Sequence, residues 1–228
     1  SGASVNTKSK FGIYTWDGHG SSNETLAHGL GAQPDFMICK KKSTDGNSWV
    51  VWHKSIAVTE YLILNATSAK ATDATLFNSH TNDSDNLWSL GTNNSISDTG
   101  QSAVAYLWCD VPGLQKFGSY TGNGNADGPM IETDFLPAIL WIKSTGSGTY
   151  WTILDSTRDP GNIMGQKLYA NSTSAENTVT SNTLDFLSNG FKVRSTSGDF
   201  NTNSTSYIYC AWAEAPAFNM FGASSNAR

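Results

Sequence analysis

Few side chains in this sequence are placed to do chemistry. Asp110 and Glu214 each end an apolar run two residues before a proline. A pair of carboxylates flanking one cleft can hydrolyse a glycosidic bond, although acids at strand ends are more simply explained by turn contacts. Four histidines, His19, His28, His53 and His80, are scattered along the chain, and there is no G-x-S-x-G, H-E-x-x-H or P-loop. The segment Asn123-Gly124-Asn125-Ala126-Asp127-Gly128 offers amide and carboxylate oxygens in a glycine-rich loop. Such oxygens suit a sugar hydroxyl or a Ca2+ ion. The loop carries one carboxylate and does not match the EF-hand spacing, so Asn-Gly and Asp-Gly turn chemistry is the simpler account. Asp83-Ser84-Asp85 is a second, weaker acidic loop. Trp16-Asp17-Gly18-His19 sets a large ring beside a carboxylate and an imidazole. A tryptophan in a loop is a platform for the apolar face of a sugar or for a partner's side chain. The pattern points to non-covalent recognition: no catalytic residue, cofactor or metal is assigned, and Ca2+ is the one cation entertained.

The elements that must position these residues show an internal echo. Phe-Gly-x-Tyr-Thr at Phe11 returns 106 residues later at Phe117. In order, four more blocks follow. Asp35 to Lys42 parallels Ala138 to Ser144, Ser48 to Ser55 parallels Tyr150 to Thr157, and Leu62 to Ala69 parallels Leu168 to Ala175. Last, Ala105 to Gly118 parallels Tyr209 to Gly222, matching Trp108 with Trp212, Asp110 with Glu214 and Pro112 with Pro216. Ordered recurrence at this period reads as a duplicated half rather than an open array. It also acts as a sieve: residue types kept in both copies hold the fold, and residues in one copy only are free for function. Trp108 and Trp212 match, as do Trp49 and Trp151, and Trp141 pairs with Ile38; these read as core. Trp16 has Gly122 as its match, which singles it out as a contact residue. His53 is matched by Asp155, a poor pattern for catalysis.

Each copy is strand-like. WVVWH, YLILN, AVAYLW, AILWIK, YWTIL, GFKVRS and SYIYCAWA are rich in Val, Ile, Tyr and Trp and are bounded by Gly, Asn, Asp and Ser clusters. Only TSAKATDATLF suggests a small helix or 3₁₀ turn. The expected fold is all-β, an antiparallel β-sandwich built from two related halves of about 105 residues. Residues 1–10 read as an N-terminal extension or residues left over from expression, 11–116 as the first repeat and 117–228 as the second, the two packed as one body.

Charged residues are 14% of the 228, and the net charge is −5 with no basic block. That argues against nucleic acid and against an anionic membrane surface as partners. No apolar run is long enough to cross a membrane, and the start lacks the apolar core of a signal peptide. Cys39, Cys109 and Cys210 lie in apolar runs without metal or disulfide spacing. They read as buried free thiols, which fits assembly in a reducing compartment.

Several stretches resemble a known family. KFGSYTGNGNADGP, ANSTSAENT, LDFLSNGFKVRST, YIYCAWAEAP and the closing NAR, with HGLGAQPDFMI and WVVWHKS in the first copy, are similar to a duplicated domain of bacteriophage tail-fibre and virion proteins, notably of marine phages and cyanophages. The resemblance runs from Phe11 onward. It implies a jelly-roll or concanavalin-like sandwich in the virion, assembled in the bacterial host cytoplasm, with other tail-fibre chains as partners in a homotrimer. It also implies an adhesin-like role: recognition of a host-surface glycan or outer-membrane receptor, without membrane insertion. The family supplies no binding residues. Trp16 departs from the small residue usual in that loop. The expected contact residues are Trp16, Asp17 and His19 in one copy and Asn123, Asn125 and Asp127 in the other. A structural spacer of the virion and a glycan depolymerase are the alternatives.

Overall fold

Runs of β-branched and aromatic residues, cut by Gly, Asn and Asp turns, form strands along the whole chain. The computed structural model describes residues 1–21, 24–42, 48–146, 148–178 and 183–214. Two compact units result: residues 1–65 with 70–110, and residues 66–69 with 111–228. Among the described residues the protein is all-β apart from a 3₁₀ turn at Asn78–His80, with antiparallel sheets in sandwich-like layers. That turn lies just after TSAKATDATLF rather than within it. The segment itself holds a short strand, Ala71–Thr72.

The first unit contains β1 (Gly2–Asn6), β2 (Phe11–Asp17), β3 (Glu24–Ala27), β4 (Phe36–Lys41), β5 (Val50–His53), β6 (Glu60–Ile63), β7 (Ala71–Thr72), β8 (Leu87–Leu90) and β9 (Ser102–Trp108). Seven pair in the order β1-β2-β9-β4-β5-β6-β7, and β3 pairs with β8. Strand β2 alternates with period two: Gly12, Tyr14 and Trp16 are buried, whereas Phe11, Ile13 and Thr15 are not. The Tyr14 hydroxyl donates to His28 O at 2.6 Å. Gly12 is required for that: a Cβ there would meet Tyr14 Oη at 2.0 Å. Residues 1–10, read from the sequence as an extension, carry strand β1. Strand β1 pairs with β2 over its whole length, Gly2 opposite Thr15 and Asn6 opposite Phe11.

The second unit contains β10 (Gln115–Thr121), β11 (Met130–Glu132), β12 (Pro137–Ser144), β13 (Thr152–Asp155), β14 (Gln166–Tyr169), β15 (Asn177–Thr178), β16 (Leu184–Leu187), β17 (Gly190–Val193) and β18 (Ser206–Ala213). The large sheet runs β10-β18-β12-β13-β14-β15, and a second layer runs β11-β17-β16. Their facing side chains form one core, with Tyr120, Leu140, Ile142, Leu154, Tyr207 and Tyr209 from the first layer and Ile131, Leu184, Phe186, Phe191 and Val193 from the second. Each such apolar side chain contributes about 1.5–3 kcal/mol by leaving water.

The large sheets share one connection pattern, in which the strand carrying the Phe-Gly-x-Tyr motif, β2 or β10, pairs with the unit's last strand, β9 or β18, and that strand pairs in turn with the strand at Phe36 or Pro137. Phe36 lies opposite both His53 and Trp108, as Ile139 lies opposite both Asp155 and Trp212. The motif strands differ in register. Phe11 faces Trp108, but Gln115 faces Trp212 and Phe117 faces Cys210. The recurring Phe-Gly-x-Tyr motif is thus slid by two residues against its neighbour. An even slip leaves every side chain on its original face. Pro216, Phe221, Gly222 and the closing Asn226 to Arg228 lie outside the described residues.

Candidate functional site

Trp16 is on strand β2, not in a loop, and only 3% exposed. Its Nε1 donates to Ile96 O at 3.0 Å, and its ring meets Trp88 edge-on with centroids 5.3 Å apart. The expectation of an open stacking platform is therefore corrected. Matching Trp16 with Gly122 misled because of the two-residue slip. Trp16 faces Ala103 and Tyr120 faces Tyr207, positions equally far before Trp108 and Trp212. In the sheet, then, Trp16 corresponds to Tyr120, a core ring stacked 5.1 Å from Tyr207. Gly122 is set by close approach, since a Cβ there would meet Thr202 O at 2.3 Å.

Asp17 and His19, which follow Trp16, are exposed. The Ser102 hydroxyl donates to Asp17 Oδ1 at 2.5 Å, and this bond holds the carboxyl below its usual range. Asp17, His19 and Glu24 line a cleft of about 310 Å³ whose apolar wall includes Trp16, Leu26 and Leu90. Trp16 thus contributes a buried wall, and the polar groups at the cleft are two carboxylates and an imidazole together with Ser1 and Thr25. Sequence reasoning missed Glu24, which reaches the cleft because β3 pairs with β8, bringing Glu24 opposite Leu90.

Asn123, Asn125 and Asp127 belong to the second unit and form an exposed loop. Its polar atoms are largely spent on the loop itself. Asn123 Oδ1 accepts Asn125 N–H at 2.9 Å, and Asn125 Oδ1 accepts Asp127 N–H at 2.9 Å. Buried Asn201 clamps the loop: its Oδ1 accepts Asn123 N–H at 2.8 Å, and its Nδ2 donates to Asn123 Oδ1, Asn125 O and Ser195 O. Asp127 pairs with Lys192 at 2.7 Å, and that bond holds its carboxyl below the usual range. The oxygens a Ca2+ ion would need already face N–H groups or an ammonium. No residue in the sequence signalled Asn201, which is 78 positions from Asn123.

Asp110 lies in the first unit and Glu214 in the second. Lys54 Nζ pairs with Asp110 and lies 3.3 Å from Asp35 Oδ1. Burial opposes the Lys54 charge, but the two carboxylates outweigh it and raise the ammonium's pKa. The other acidic loop is also internally engaged: Asp83 bonds His80 Nδ1 at 2.6 Å and Ser89 N–H at 2.6 Å. Burial raises the Asp83 pKa, but these two partners outweigh it, for a net decrease. All three cysteines are buried thiols outside any disulfide. Burial, then the nearby Asp35 charge, pushes the Cys109 thiol up to about 12. Among the described residues no cluster of His, Cys, Asp or Glu is arranged to hold a metal, and no helix is long and apolar enough to cross a membrane.

A family model described as a domain of unknown function, DUF7483, matches residues 1–216. No curated protein and no solved structure matches the chain. Since the match spans nearly all of the sequence, the chain belongs to the DUF7483 family.

Proposed function

We propose that this chain is a non-enzymatic recognition domain of a bacteriophage tail fibre that binds a host-surface glycan through the first-unit cleft. The observation that carries this reading is the cleft itself. At about 310 Å³ it is at the lower end of small-molecule sites, with polar groups from Asp17, His19 and Glu24 set around an apolar wall. Carboxylates and an imidazole accept and donate hydrogen bonds to hydroxyl groups, and the wall covers a sugar's C–H face. The tail-fibre assignment rests on the sequence resemblance, as do assembly in the host cytoplasm and association with other fibre chains as a trimer. The shared strand order and register of the two large sheets support descent of both units from one duplicated ancestor.

The test is binding of the whole chain to intact bacteria of several strains and to a glycan array. The expected result is strain-dependent binding that falls at least about tenfold, roughly 1.4 kcal/mol, in Asp17→Ala/His19→Ala. Full binding by that variant would sink the cleft as the site. Release of reducing ends from a bound polysaccharide would replace recognition with hydrolysis.

A second reading, a structural spacer of the virion, is favoured by strand β1. It is an edge strand, exposed at all five positions and without a charged residue. Such an edge offers unpaired backbone groups to another chain. A chain that assembles into trimers yet binds no cell or glycan would support it.

A further inference from the structure

The strand ends around Asp110 and Glu214 share one backbone frame. In the first unit Lys54 N donates to Asp35 O at 2.8 Å; in the second, Ser156 N donates to Ala138 O at 2.9 Å. Phe36 with His53 and Trp108, and Ile139 with Asp155 and Trp212, fix the same register on both sides of that bond. Asp110 and Glu214 each follow their tryptophan by two residues.

The side chains on this frame differ. In the first unit an ammonium sits between two carboxylates, Lys54 Nζ against Asp110 and Asp35. Asp35 is braced by Asp110 N–H, which donates to its Oδ2 at 2.6 Å. In the second unit the same positions hold Ser156, Ala138 and Glu214. The lysine is gone and the acid remains. A cleft of about 260 Å³ opens there, lined by Pro137, Ser156, Asp159, Asn162, Met164 and Glu214 among others, with no Lys, Arg or His in its wall. Among the described residues no ion pair forms at Glu214. The wall is braced as well. Asp159 Oδ2 accepts Gly165 N–H at 2.5 Å and Gln166 N–H at 2.9 Å, and the Asn162 amide is spent on both backbone groups of Phe186. Two carboxylates reaching one cleft, with no cation among the described residues of its wall, favour a cationic occupant.

We infer that this second-unit cleft binds a primary ammonium group from outside the chain, held by Glu214 with Asp159, in the place that Lys54 Nζ fills in the first unit. Ser156 is the residue that makes room for it. The ammonium chemistry is common to a lysine side chain of another protein and to an amino sugar. The site is separate from the Asp17 cleft, and its test does not depend on glycan binding there.

The experiment is a two-dimensional amide NMR titration of the full chain with Nα-acetyl-lysine amide, with glucosamine, and with uncharged Nα-acetyl-norleucine amide. Saturable shifts are expected at the amides of Ser156, Asp159, Gly161 and Glu214 with at least one amine and none with the norleucine compound. The tighter amine identifies the source. Glu214→Gln, at an exposed position, is expected to weaken binding about tenfold, the size of one lost charge-assisted bond. Ser156→Lys, which restores the first unit's internal cation, is expected to abolish binding and to raise the melting temperature. No saturable shift with either amine, equal shifts with the norleucine compound, or full binding by Ser156→Lys would each overturn the site.

Discussion

Trp16 makes both contacts a buried indole can make, its N–H to Ile96 O and its ring edge-on to Trp88. Replacing it with alanine removes a core ring and leaves the Ile96 carbonyl without its donor. Trp16→Ala is expected to cost about 3–5 kcal/mol, the usual range for a large buried aromatic. A urea titration reads this directly as a lowered midpoint. Asp17→Ala and His19→Ala remove exposed side chains one and three residues further on. Their midpoints are expected to move far less than that of Trp16→Ala, Asp17→Ala losing only its exposed bond from Ser102, so their effects on binding report the cleft. An unchanged midpoint in Trp16→Ala would contradict a core role for the ring. The contrast matters in practice, because loss of binding in the tryptophan variant would report unfolding rather than a lost contact.

At the scale of elements, the Asn123–Asp127 loop is held by a side chain from a distant turn. Asn201 is fully buried, and its carboxamide serves one N–H and three oxygens. Asn201→Ala is expected to lower stability by about 2–3 kcal/mol, since the four hydrogen bonds of one buried carboxamide are lost at once. Asn201→Asp is expected to cost more, because a carboxylate would face Asn123 Oδ1, Asn125 O and Ser195 O. Urea midpoints and faster proteolysis within residues 123–127 are the measurements; a loop that stays protected in both variants would show that Asn201 does not hold it. This loop also marks what the sequence could not reveal. Strands such as β5, β9, β12 and β18 were legible because runs of Val, Ile, Tyr and Trp stop at turn residues. Strand β1 was not, because Gly2–Asn6 has no buried face and is held by pairing alone. The slip that makes Tyr120 rather than Gly122 the counterpart of Trp16 in the sheet leaves no trace in motif spacing, since faces survive an even shift. Asp17 and His19, expected as loop contact residues, line the cleft, while Glu24 enters it only through the β3–β8 pairing.

At the scale of the molecule, the second unit is not a simple stretch of sequence, for it includes residues 66–69. That segment supplies Thr67 O, which accepts Lys143 Nζ at 3.2 Å; Thr149 O and Thr149 Oγ1 accept it at 3.2 and 3.0 Å. Lys143 has no measurable exposure, and all three of these oxygens are neutral. Burial draws its pKa down to about 8, against a partial rise from the Asp199 charge. Below pH 8 the ammonium is charged in both the folded and unfolded chain, and the folded state bears the whole desolvation cost. Between pH 8 and about 10.4, the ordinary lysine value, the folded chain has lost the proton and the unfolded chain still binds it. Stability from this group therefore rises with pH across that window, by on the order of 3 kcal/mol. Lys143→Met removes the titration, so the stability gap between the variant and the unmodified chain isolates it. Moving from pH 7 to pH 10.5, that gap is expected to shift by about this amount in favour of the unmodified chain. A gap that stays constant with pH would mean that Lys143 is solvated in the native state, and that residues 66–69 do not close over it.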